Sequence, residues 1–159
     1  MRFGNDDARV PEAQGPENGV RVMAGKPENA ANVRLRAAGL RPTRQRVALA
    51  GLLFRAGDRH VSAESLHAEA TRAGIGVSLA TVYNTLHQFT EAGLLQQVVV
   101  DAGRSYFDTN IGDHQHFYYA DEGRLIDIAG SAIAIAGVPQ PPKGTAVERV
   151  DVIVRIKRA

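Results

Sequence analysis

Two imidazoles one residue apart, His114-Gln115-His116, carry the most chemistry in this sequence. In an extended segment, alternate side chains project to the same side, so both rings can reach one ion. His60, in the loop ahead of a helix, and Asp108, closing a strand, can add a third nitrogen and a carboxylate. A set of three nitrogens and one carboxylate suits divalent iron, manganese or zinc. Drawn from both halves of the chain, it would let a cation fix the angle between them. The alternative is a group of surface histidines beside a polar hinge. His67 and His87 fall on helices with no paired ligand and read as solvated. There is no cysteine, so disulfides, thiolate ligands and thiol redox switching are excluded.

A second chemistry lies in Ser78–Leu94, which reads as one short helix with two faces. Ser78 suits an N-cap, and Gly93 suits the left-handed residue that ends a helix. Leu79, Val82, Leu86 and Phe89 recur on one side at helical spacing. The other side presents Ala80, Thr81, Asn84, Gln88 and Glu91, and is free of acid near its N-terminus. Such a face can lie against base edges in a major groove, or can simply be solvated. Charge favours the groove. Residues 33–94 hold eight arginines against four carboxylates, while the whole chain carries only +2. Arginine suits planar phosphate and base contacts. No Gly-rich phosphate loop, nucleophile elbow or functional carboxylate pair is present, so no enzyme and no catalytic residue is expected.

The elements that must position these residues follow from caps and periodicity. Residues 1–32, rich in Gly, Pro, Glu and Asn, read as a flexible arm. Helices are predicted over about Ala30–Ala38, from the Thr43 cap to Phe54, from the Ser62 cap to Ala73, and from Ser78. Gly57–His60 reads as a turn. Leu95–Val100 and Arg104–Asp108 flank Asp101-Ala102-Gly103, a hairpin signature. Basic helices followed by a hairpin spell a winged helix-turn-helix domain over residues 33–108. Residues 109–113 read as a hinge. Residues 114–159 read as a small α/β dimerisation domain, giving an α+β chain overall. That unit should hold strands Gln115–Ala120, Arg124–Ile128 and Val147–Lys157, a short helix near Ser131–Ala136, and a stiff Pro139–Pro142 connector. It is too small to be stable alone, so a homodimer is expected. No apolar run approaches the ~20 residues that span a bilayer, and the N-terminus lacks a secretory pattern, so a cytoplasmic protein with no membrane partner is expected.

Arg41-Pro42-Thr43-Arg44-Gln45-Arg46, His60-Val61-Ser62-Ala63-Glu64, Ser78–Leu86 and the His-x-His run together resemble the Fur family of ferric uptake regulators. Arg104–Asn110 and the valine-rich C-terminal strand point within it to the iron response regulator branch, Irr. The resemblance covers about residues 33–158. It implies a DNA-facing set of Arg41, Arg44, Arg46, Ser78, Thr81, Tyr83 and Asn84. Arg41 would lie by the minor groove or a phosphate, and the Tyr83 ring against a thymine methyl. Asn84 stands where many members carry arginine, and Asn favours adenine over guanine. His60, Asp108, His114 and His116 match the family's hinge metal site, with Asp108 where glutamate is usual. Tyr119-Ala120-Asp121-Glu122 replaces a Cys-x-x-Cys zinc motif, so that structural zinc is expected to be absent. Asp113, Gln115 and Ala134 stand where a second metal site would need ligands, so that site is expected to be absent too. In the Irr branch the His-x-His run is associated with haem, which implies haem at His114 or His116. The implied function is a dimeric regulator of iron or haem homeostasis, acting on an AT-rich pseudo-palindromic operator in double-stranded DNA. A haem-delivery protein is a further implied partner. The alternatives are a manganese, zinc or peroxide sensor, or a metal- or haem-binding module with no DNA role.

Overall fold

The computed structural model describes residues 27–159. The first 26 residues of the expected arm lie outside them. Helix α1 spans Pro27–Ala37, three residues ahead of the predicted start, so residues 27–32 are helix and not arm. Proline is well placed at a first helical position, and Glu28 in the first turn and Arg34 and Arg36 in the last complement the helix dipole. Gly39, at φ 75°, ends the run.

Three more helices begin at side-chain caps. α2 is Arg44–Leu53, with the Thr43 hydroxyl accepting from Arg46 N. α3 is Ala63–Arg72, opened by a reciprocal Ser62–Ser65 capping box. α4 is Leu79–Glu91, with the Ser78 hydroxyl accepting from Thr81 N at 3.1 Å. Its buried stripe is Val82, Thr85, Leu86 and Phe89, the i, i+3, i+4, i+7 pattern. Leu79, expected in that stripe, is 37% exposed, and Thr85 is buried in it instead. Leu35, Leu49, Leu53, Leu66 and Phe107 complete this core.

A three-stranded sheet follows the helices. β1, His60–Val61, begins at the last residue of the predicted Gly57–His60 turn and is not among the predicted strands. It pairs antiparallel with β3, Arg104–Asp108, which pairs in turn with β2, Gln96–Asp101. These helices and this hairpin form the winged helix-turn-helix.

The second sheet holds β4, His114–Tyr119, at its centre. β5, Arg124–Ala129, pairs antiparallel to it, and β6, Ile153–Ile156, pairs parallel. Two expectations fail here. Residues 131–136 form no α-helix, only a 3₁₀ turn at Gly130–Ala132. Six residues with Ile133 and Ile135 and no apolar stripe on a core cannot sustain the cost of helix nucleation, and Ile135 is 42% exposed. The strand expected from Val147 shrinks to Ile153–Ile156, the stretch in register with His116–Tyr119. The buried Gln115 amide oxygen accepts from Val152 N at 2.6 Å, just before that pairing begins. Among the described residues no helix is long and apolar enough to cross a membrane.

The two sheets meet face to face. Val98, Val100 and Tyr106 of the wing pack on Tyr118, Leu125 and Ile153 in a second small core. Arg104 donates to the Tyr118 hydroxyl at 2.6 Å, and the Tyr106 hydroxyl donates to Gly123 O at 2.7 Å.

Candidate metal centre and DNA-reading face

Strand register brings the predicted ligands together. His60 faces Asp108 across β1 and β3. His114 and His116 share one face of β4, and Asp127 of β5 stands directly opposite His116. The ligand atoms of His60, Asp108, His114, His116 and Asp127 all lie within 4.8 Å of one another. Asp108 Oδ2 is 2.7 Å from His114 Nε2, 3.1 Å from His60 Nε2 and 3.2 Å from His116 Nε2. Asp127 was not among the sequence candidates. Its signal is the β4–β5 hairpin: a turn over residues 120–123 pairs His116 with Asp127.

Surrounding contacts orient His114 and the two carboxylates. His114 Nδ1 donates to Gly112 O at 2.8 Å, which assigns its neutral tautomer and leaves an Nε2 lone pair. That Nε2 lies 3.0 Å from the His116 Nε2. Asn110 N donates to Asp108 Oδ1, and Asn110 Nδ2 donates to Asp127 Oδ2, so one oxygen of each carboxylate is left for the cluster. His60 Nε2 is buried and lies 2.9 Å from Asp127 Oδ1, yet neither nearby carboxylate oxygen is aligned with it as a hydrogen bond. Three imidazole nitrogens and two carboxylate oxygens crowded within 4.8 Å, with one buried nitrogen left unsatisfied, form a cage that could hold a cation. Three imidazoles and two carboxylates with no thiolate fit divalent manganese, iron or zinc.

Electrostatics agree with this geometry. Burial alone would raise the Asp108 carboxyl. The His116 and Asn110 N hydrogen bonds and the nearby His60 imidazole outweigh burial and hold it well below the usual carboxylate range. Burial likewise disfavours charge on His114, but the Gly112 carbonyl and the Asp108 carboxylate outweigh it and raise that imidazole. The cage therefore attracts positive charge, a proton when no metal is bound.

His67 and His87, read as solvated, diverge. His87 is exposed, with its ring edge-on to Phe107. His67 is half-buried, and its Nε2 contacts Val77 O at 3.1 Å, so it ties α3 to the following turn and is not a solvated group. Gln115 is committed to the Val152 backbone just ahead of β6.

The candidate DNA residues differ in exposure. Arg41, Arg44, Ser78, Tyr83 and Asn84 are exposed, and Thr81 is half-buried. Arg46 is turned inward. Its guanidinium holds the Gln88 amide oxygen at 2.8 and 3.1 Å and the Arg41 carbonyl at 2.9 Å, clamping α2 and the Arg41 loop to α4. The Tyr83 hydroxyl donates to Glu64 Oε1 at 2.6 Å.

The model of the ferric uptake regulator family matches residues 37–140, well over half of the chain. The chain belongs to the ferric uptake regulator family. It is 39% identical over 103 residues to the ferric uptake regulation protein of Pseudomonas aeruginosa, covering 64% of this chain and 77% of that protein. It is 34% identical over 103 residues to the Escherichia coli K12 ferric uptake regulation protein, covering 64% and 70%. Among solved structures, the P. aeruginosa ferric uptake regulator with manganese superposes with a TM-score of 0.61 at 30% identity, over 80% of this chain and 97% of that one. The Vibrio cholerae regulator shares the fold, with a TM-score of 0.62 at 24% identity over 80% and 98%. The family assignment makes this chain a metal-responsive, DNA-binding transcriptional regulator of α+β fold.

Proposed function

We propose that this regulator binds its operator as a homodimer, with an affinity set by a divalent ion held between its two lobes. The observation that carries this reading is the cage itself. His60 and Asp108 come from the winged-helix sheet, and His114, His116 and Asp127 from the second sheet. An ion bound by all five joins the sheets and favours one arrangement of the reading helix relative to the dimer lobe. When bound, the ion supplies only charge and fixed geometry. The residues supply orientation, through Gly112 and Asn110. The P. aeruginosa neighbour carries manganese, and an all-nitrogen-and-oxygen cage suits manganese or ferrous iron.

On the DNA side, Ser78, Thr81, Tyr83 and Asn84 meet the major groove, with Arg41 and Arg44 on the backbone. Asn84 favours adenine, which supports an AT-rich, pseudo-palindromic operator matching the dimer's two-fold. Arg46 acts from behind, as the clamp. Exposed Ile126, Ile135, Val147 and Val150 in the second lobe supply apolar surface for a second copy. The site of action is the cytoplasm.

The resemblance to the Irr branch adds haem, delivered by a partner protein. The His114 and His116 side chains are only 4% and 5% exposed, and both Nε2 atoms point into the cage. A macrocycle reaches either imidazole only by dismantling the cage, so haem and the divalent ion exclude each other and haem releases the operator. The test is a haem titration of manganese-loaded protein, followed by absorption, released metal and operator binding. A Soret band that rises with stoichiometric metal release and loss of DNA supports the reading. Haem spectra and haem inhibition unchanged in the His114→Ala, His116→Ala double variant reject it.

A further inference from the structure

Glu64 is the second residue of α3, behind the reading helix, and has no part in the metal cage. Its carboxylate accepts the Tyr83 hydroxyl proton at 2.6 Å, and both side chains line an open groove of about 380 Å³ between α4 and the wing. Tyr83 is 38% exposed there, so part of its surface remains accessible. We infer that Glu64 is a positioning residue that sets DNA specificity by deciding what Tyr83 can offer a base edge. The inference rests on the placement of Tyr83 in the major groove given above.

A phenol has one proton to donate. With that proton held by Glu64, Tyr83 presents an apolar ring and an acceptor oxygen. The ring suits a thymine methyl, and the oxygen suits the amino groups of adenine or cytosine. Phosphate oxygens, guanine O6 and N7, and thymine O4 are all acceptors and are refused. The carboxylate charge also repels the backbone, so Tyr83 cannot be recruited as a general phosphate contact. The anchor is well set. Glu64 lies in the first turn of α3, where the helix dipole favours a negative charge, and the Ser62 cap fixes that turn. The hydrogen bond lowers the Glu64 carboxyl and raises the Tyr83 phenol, so donor and acceptor keep these roles near neutrality.

The test uses the full chain loaded with manganese. The probes are a duplex that the unaltered protein enriches from a random-sequence pool, and a shuffled duplex of the same composition. E64Q keeps an acceptor and drops the charge, E64A drops both, and Y83F removes the proton but keeps the ring. The enriched-over-shuffled affinity ratio should be nearly unchanged in E64Q. In E64A it should fall about tenfold, the size of one base-discriminating contact, mainly through tighter binding of the shuffled duplex. That difference between E64A and E64Q should vanish in the Y83F background, which a merely structural role would not produce. Should E64A fail to fold, E64M keeps a helix-forming stem without the acceptor and takes its place. Equal ratios for E64A and E64Q, or a difference that persists with Y83F, overturn the inference alone. Unaltered binding of the enriched duplex by Y83A overturns it together with the placement of Tyr83.

Discussion

At the residue scale, the cage is a competition between protons and metal. Asp108 is depressed, so its contribution to stability is present above its ordinary value of 3.8 and lost as pH falls through its folded value. His114 is raised, so in metal-free protein its contribution is present below 6.5 and lost as pH rises through its folded value. Metal needs His114 unprotonated and replaces the proton that held the cage together. The gain in melting temperature from added manganese should therefore grow from about pH 6 to about pH 8. A gain that is flat or falls over that window counts against the cage. The ligand shell adds a second expectation. The Asn110 side-chain amide aims the Asp127 carboxylate, so Asn110→Ala, which leaves the backbone N–H to Asp108 in place, should weaken manganese binding about 10- to 100-fold with the five ligands intact, as read by calorimetry.

At the element scale, local sequence explains most of what is seen. Ser78, Ser62 and Thr43 announce their helices because a hydroxyl satisfies an otherwise orphaned N–H. Ser78→Ala should cost about 1 kcal/mol of stability in chemical denaturation, and should also weaken operator binding, because the cap starts the reading helix. Arg46 carries a different message. Its type and place in a basic run suggest a phosphate contact, and only the fold shows its planar fork gripping Gln88 and the Arg41 carbonyl. Arg46→Lys keeps the charge and loses the fork. It should lower stability by about 1–2 kcal/mol in the same assay, whereas a pure phosphate contact would leave stability unchanged. What sequence could not carry is non-local. β1 is two residues long and exists only because β3 pairs with it. Asp127 becomes a ligand only through hairpin register. The predicted 131–136 helix had propensity but no core to lie on.

At the scale of the whole molecule, metal is not the only tie between the lobes. The packing of Val98, Val100 and Tyr106 on Tyr118, Leu125 and Ile153 holds the wing to the second sheet without an ion. The ion then biases an arrangement that packing already permits. Tyr118 is fully buried and accepts from Arg104 across this junction. Tyr118→Ala should cost about 3–5 kcal/mol of stability, measured by denaturation of metal-loaded protein. Retained stability would mean that the lobes separate freely in solution.

The decisive measurement is an anaerobic manganese isotherm for the full chain and for five single variants, His60→Ala, Asp108→Asn, His114→Ala, His116→Ala and Asp127→Asn. The prediction is a single shared ion, with affinity falling in all five and with His60→Ala, on the winged-helix side, as damaging as His114→Ala. Binding as tight as that of the unaltered chain in both His60→Ala and Asp127→Asn would contradict a centre that spans the two lobes.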